Sequence, residues 1–336
     1  MDFGFPLEAV IILAVAVVAS VWLDLFAHRN DEEVTFRNAA GWSVFWILLA
    51  VSFFFYLKFR YSPEAASLFL SGYVLEKALS VDNMMVFVAV FASFGIKGIA
   101  QHRILYYGIA GALIFRALFV AIGTSLFGLS TWIELLFAAI VLWTGIKMLK
   151  GSGDGDVDAD YSQHWSVRMV RRFIPVIPRL VGKRFVVGRE EAHTIADAEG
   201  VQLTRRNASF YATPMLLCLF CIEITDIIFS FDSVPAIIAV TQEPFLIYSA
   251  VIFAILGLRN LYFMLAAAAK YLVHLEKAVA LVLVFIAAKL GGSALGFYHI
   301  DHQVSMVVVL SLIAGGVLAS LIFPEKAEPQ TSTESD

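Results

Sequence analysis

Long apolar runs alternate with short polar joints along most of the chain. They cover about residues 7–27, 41–58, 65–92, 104–124, 132–149, 213–240, 245–269, 276–297 and 304–323. Each is close to the ~20 residues a helix needs to cross a hydrocarbon core about 30 Å thick, so nine transmembrane helices are expected. Between the fifth and sixth runs lies a polar region, 151–212, where KRFVV and VQLTRRNASFY are expected to pair as a small hairpin packed on the bundle. The tail after Pro324 (EKAEPQTSTESD) is polar and aperiodic, and is expected to be disordered.

Two of the apolar runs are interrupted by acids. The segment IEITDIIFSFDSVP, 222–235, carries Glu223, Asp226 and Asp232. A carboxylate at bilayer depth costs about 2.5–3.5 kcal/mol even on lenient insertion scales, so such residues usually line a pathway. A second copy stands 150 positions earlier in EKALSVDN, 76–83. The shift takes Asp226 to Glu76, Ser230 to Ser80, Asp232 to Asp82 and Ser233 to Asn83.

The repeat continues past the acids. The next run of each half holds an arginine among apolar residues, Arg116 and Arg259, and the third holds a lysine, Lys147 and Lys289. Each unit is thus three helices, and an odd number of spans makes the second unit cross in the opposite sense to the first. Many transporters are built this way, with a site near the midplane at the repeat interface. The expected fold is therefore an all-α polytopic membrane protein of about nine transmembrane helices with a 3+3 inverted-repeat core. Its parts are 1–60 (two N-terminal helices), 61–150 (first repeat), 151–212 (cytoplasmic loop region), 213–298 (second, inverted repeat) and 299–336 (last helix and tail).

Composition agrees: 60% of the 336 residues are hydrophobic and 15% charged, with a mean hydropathy of +0.81. That excludes an ordinary soluble globule. The net charge of −4 says less than its distribution. Arg29, Arg37, Lys97, Arg103, Lys270, Lys277 and the arginines of 151–212 fall in one set of loops, against Lys58 and Arg60 in the other. The positive-inside rule then places the N-terminus outside and the C-terminus in the cytoplasm. The first run lacks a positive n-region, so it is expected to be an anchor span, not a cleaved signal. Basic residues form no nucleic-acid motif.

At about 100° per residue, Glu223, Asp226 and Ser230 share one stripe, while Asp232 points about 120° away from Asp226; Asp82 stands likewise to Glu76. Pro235 removes an amide donor three residues after Asp232, so a broken helix near 230–235 is expected to turn Asp232 back and bare carbonyl oxygens. Carboxylates, Asn83, serines and carbonyls are hard oxygen donors that suit Mg, Mn or Ca; a thioether of Met84 or Met85 would tilt the choice toward manganese, but a methionine in a membrane helix more often serves packing. The candidate metal ligands are Glu76, Asp82, Asn83, Glu223, Asp226 and Asp232. Lys77, Arg116, Arg259 and Lys289 are candidate gates or charge partners, and ion pairs among these groups could nearly neutralise the interior with no ligand present. Cys218 and Cys221 fit packing better than redox work, DGDVDAD (154–160) lacks the Gly and Glu of a calcium loop, and His299, Asp301 and His302 fit an outer loop.

The stretches EKALSVDN, HRILYYGIAGALIFRALF, YATPMLLCLFCIEITDIIFSFDSVPAIIAVT and FAILGLRNLYFML resemble the TerC family over most of residues 65–272. One departure is Val251-Ile252, where the family often has Asn. The resemblance implies a bacterial inner-membrane protein of metal-ion homeostasis, with manganese export as activity and a history in tellurite resistance or redox modulation. It implies signature acids at Glu76, Asp82, Glu223, Asp226 and Asp232. The reading is a secondary transporter that moves a divalent cation, Mn²⁺ first, out of the cytoplasm. No tightly bound cofactor is expected; the partners are the lipid bilayer, the divalent ion and coupling protons, with no nucleic acid. The competing reading is a non-transporting membrane scaffold or stress and redox component of the tellurite-resistance type. An enzyme is not expected, since no cofactor motif is present.

Overall fold

The computed structural model describes Phe5, Leu203 and residues 7–27, 35–127, 129–150, 164–199, 208–268, 273–298 and 300–322. Apart from connecting segments, the described chain is helical, with one two-stranded sheet. Five helices precede the polar region: α1 (Leu7–Ala27), α2 (Phe36–Arg60), α3 (Pro63–Ser93), α4 (Ile99–Leu126) and α5 (Thr131–Leu149). Within it lie α6 (Trp165–Phe173), β1 (Val186–Gly188), α7 (Arg189–Glu199) and β2 (Phe210–Ala212). Then come α8 (Pro214–Val240), α9 (Pro244–Ile255), α10 (Leu258–Ala268), α11 (Val273–Ala294) and α12 (His302–Ile322).

Six of these helices, α2, α4, α5, α8, α11 and α12, are long and apolar enough to cross a membrane. A seventh span results if α9 and α10 are counted together, bent by 46°. The two remaining runs behave differently. α1 qualifies only as a shorter apolar helix over Leu7–Ser20. α3 is long enough at 31 residues, but Glu64, Glu76, Lys77 and Asp82 dilute its apolar character.

Local chemistry sets the ends of the helices. The Ala65 amide donates to Ser62 Oγ (3.0 Å) and Pro63 follows the cap, so α3 starts with an orphan donor satisfied and a preset φ. Ser130 caps α5 in the same way at the Trp132 amide. The bend between α9 and α10 falls at Gly257, whose φ of +80° is a left-handed conformation that glycine adopts without strain. A side chain there would also run into the Trp46 ring.

Pro235 does not break its helix. α8 runs unbroken from Pro214 to Val240 with the proline inside it, which corrects the expected break at 230–235. Pro235 is buried among Val234, Ala236, Ile237 and Ile238, and neighbouring helices hold such a turn in place even where a backbone bond is missing.

The helices before and after the polar region interleave. α3 packs on α9, α8 on α4, α5 on α11, and α3 and α8 on each other. Their shared core runs through Leu75, Leu79, Val90, Ile104, Ile222 and Leu283. A second cluster joins α2, α3 and α9 through Phe53, Phe69 and Phe253. Ile114, Leu118, Trp143, Val307 and Leu318 face outward, as lipid-facing side chains would.

In the polar region, β1 and β2 pair antiparallel with Val187 opposite Tyr211. The pairing joins the two expected segments, but α7 lies between them, so they are not a hairpin.

Candidate functional site

The centre of the site is Arg116, on α4, only 1% exposed. Its Nε and Nη2 donate to the two carboxylate oxygens of Asp226, at 3.2 and 2.8 Å. Its Nη1 meets the Glu76 carboxylate. One planar guanidinium thus joins the matching acids of α3 and α8, in the fork geometry that makes arginine–carboxylate pairs strong and directional. Both acids are buried. At that depth the pairs are matched against a desolvation penalty of several kcal/mol per ion, so they are worth far more unbroken than broken.

The two acids are also held alike. Ser80 Oγ donates to the Glu76 carbonyl and Ser230 Oγ to the Asp226 carbonyl, both at 2.8 Å. Each serine sits one turn after its acid and spends its hydroxyl within its own helix, which leaves the carboxylates to face Arg116.

Glu223 lies one turn before Asp226 and packs flat against α4. A side chain at Gly111 would collide with its carboxylate, so the bare glycine backbone makes the room. Glu223, Asp226 and Arg259 line a cavity of about 20 Å³ with Met84 and Gly108, about the room that one water requires. Glu223 Oε2 is buried with no hydrogen-bond partner among the described residues.

Asp232 belongs to another face. With α8 unbroken it stays turned from the Asp226 stripe, and its carboxylate lies near Thr144 of α5. Asn83 is buried on α3. The side chain of Asp82 lies outside the described residues, as do His299, the DGDVDAD segment and the tail after Pro324. Among the described residues, no group of three or more His, Cys, Asp or Glu is arranged to hold a metal ion. Glu76 and Asp226 are engaged by Arg116 instead.

The basic candidates separate. Lys77 Nζ donates to the carbonyls of Ala254 (3.0 Å) and Leu256 (3.4 Å), at the end of α9 where the bend leaves acceptors over; a cation suits such a helix terminus. Arg259 is 2% exposed. Lys289 stands apart, lining a cavity of about 450 Å³ with Thr241, Glu243, Asp301 and His302. Cys218 and Cys221 are reduced and fully buried.

Gly111 and Thr144 are the site residues that the acidic pattern does not single out. The sequence signal for the first is the small-residue spacing Gly108-Ile-Ala-Gly111, which lets helices approach closely in membranes.

The chain matches the Integral membrane protein TerC family over residues 61–328. It is 48% identical over 336 residues to the Tellurium resistance protein TerC of Serratia marcescens, covering 97% of each chain. It is 47% identical, with the same coverage, to the Tellurium resistance protein TerC of Alcaligenes sp. Over 310 residues it is 34% identical to the Alx protein of Escherichia coli (strain K12), whose name suggests a membrane-bound redox modulator; that match covers 90% of this chain and 89% of the other. No solved structure matches the chain significantly. The chain is a multi-pass integral membrane protein and belongs to the TerC family.

Proposed function

We propose that the protein is a secondary transporter that moves a divalent cation, Mn²⁺ first, out of the cytoplasm in exchange for protons. The observation that carries this reading is the Glu223–Asp226 pair. Glu223 Oε2 is buried without a partner and lines a cavity beside Asp226, where a buried carboxylate oxygen calls for a cation or a proton. The Arg116 guanidinium is then a tethered cation that holds Glu76 and Asp226 while the site is unloaded. An arriving divalent ion competes for the same oxygens, which are the hard donors that suit manganese or magnesium.

The helix pairings support an inverted repeat. Exchanging the units turns the α3–α9 contact into α8–α4 and leaves α5–α11 and α3–α8 as they are. In this reading α3 and α1 also cross the bilayer, giving nine spans in a bacterial inner membrane with the N-terminus outside. The buried ion pair with Arg116 shields Glu76 of α3 from lipid.

Carboxylates grouped in a low-dielectric site share protons when no metal is bound, and metal binding releases them. Metal affinity accordingly falls as pH falls. The test is Mn²⁺ flux by the purified protein in liposomes, with and without a pH gradient. Flux driven by protons moving the other way is expected. Absence of flux under every gradient overturns transport, and flux indifferent to the gradient removes only the coupling.

One observation favours the competing scaffold reading: Arg116 of α4 pairs with both Glu76 of α3 and Asp226 of α8, tying three helices together. On that reading the clasp is a strut between helices, and the protein serves the tellurium resistance or redox modulation for which its relatives are named by docking partners on the polar region.

A further inference from the structure

The short helix α6 has three distinct faces. Val167 and Val170 are buried and belong to the main core, because α6 packs on α8. Trp165, Met169 and Phe173, spaced four apart, are 49%, 47% and 71% exposed. At 100° per residue they form a second stripe, turned by about 130° from the buried one. Arg168 and Arg171 are exposed on the remaining side.

The segment after α6 fixes its position. Val176, three residues beyond the helix, bridges to Ala212, and Ile177 donates its amide to the Ala212 carbonyl at 3.0 Å. Ala212 is two residues before Pro214, where the apolar α8 begins. The segment that follows α6 is therefore fixed beside the first turn of α8, a helix long and apolar enough to cross a membrane; with α8 spanning the bilayer, that is the height of the lipid headgroups.

A solvated helix has no reason to present a Trp, a Met and a Phe on one side and arginines on the next. A helix lying in a bilayer interface has: the apolar stripe enters the acyl boundary and the basic one stays with the headgroups. Basic residues at that height attract anionic lipid within a Debye length of the surface. We propose that α6 is an in-plane interfacial helix that binds the anionic surface of the bilayer, with Trp165, Met169 and Phe173 among the acyl chains and Arg168 and Arg171 on anionic headgroups. Because its third face rests on α8, lipid bound there bears on the helix that carries Glu223, Asp226 and Asp232. The inference does not depend on the transport reading.

The full-length protein in lipid nanodiscs tests it in two ways. Trp165 fluorescence, isolated as the difference between wild type and Trp165→Phe, is expected to be quenched by lipids brominated near the headgroup end of their chains. Absence of quenching overturns the insertion and leaves another protein surface as the occupant of the stripe. Phosphatidylglycerol in place of phosphatidylcholine is expected to raise the melting temperature of the wild type, and inorganic phosphate is not. The Arg168→Gln/Arg171→Gln double variant is expected to lose roughly 30-fold in anionic-lipid affinity, from about fivefold per arginine. Arg168→Lys/Arg171→Lys should keep most of it. An equal response of wild type and the glutamine variant to phosphatidylglycerol overturns the headgroup assignment.

Discussion

Glu76 and Asp226, 150 positions apart in sequence and on different helices, bind the same guanidinium. The pairing ties α3 to α8 through a residue on α4. It explains why acids recur at matched places in the chain better than local packing does.

The clasp makes a thermodynamic prediction. Arg116→Gln leaves two buried carboxylates without their cation, and breaking such a pair costs about 3–5 kcal/mol. That is a large part of a typical net stability of about 5–15 kcal/mol, so a marked fall in melting temperature is expected. Adding Asp226→Asn should recover part of the loss, as a double-mutant cycle for coupled groups requires. Additive losses would show that the two residues act independently.

Gly111→Ala separates the site from the fold. The new methyl displaces the Glu223 carboxylate, which is the far end of a flexible side chain and can move. Melting temperature and expression should change little while Mn²⁺ efflux falls. Full efflux in a stable Gly111→Ala protein would remove Glu223 from the pathway.

Asp82→Asn and Asp232→Asn keep shape and hydrogen bonding but remove a charge. Both variants are expected in the membrane at near-normal levels with efflux lost, so that cells accumulate manganese and become sensitive to it. Abundant variants with unaltered efflux would sink these two assignments.

Topology follows from the loop charges. Reporter tags at residue 155 and at the C-terminus should register the cytoplasm, and a tag at the N-terminus the outside. An outside signal at 155 would invert the orientation and with it the side that α6 faces.

Much of this architecture is legible in the pattern of residues. The apolar run at 7–27 is α1 to the residue, and the stripe of Glu223, Asp226 and Ser230 is a true face of α8, because helical period is set by backbone geometry alone. The partner choice of Arg116 is less accessible: charge and spacing name the candidates, but which acid meets which base depends on how α4 packs against α3 and α8. Pro235 misleads because its effect depends on the packing around it. The bend that does occur, at Gly257, is hidden in a continuous apolar run, since left-handed backbone leaves no hydrophobic trace. Lys77 is likewise claimed by carbonyls that exist as acceptors only once that bend is made.

The clasp on Arg116 also has an order in time. A chain is made from its N-terminus, so α3 and α4 exist before α8, and Asp226 follows Arg116 by 110 positions. An arginine at the centre of a membrane helix costs about 2.5–3.5 kcal/mol on insertion scales. During synthesis Glu76 is the only member of the clasp able to offset that cost. Asp226 then completes a pair already half made, so the earlier acid serves assembly and the later one closes the finished bundle.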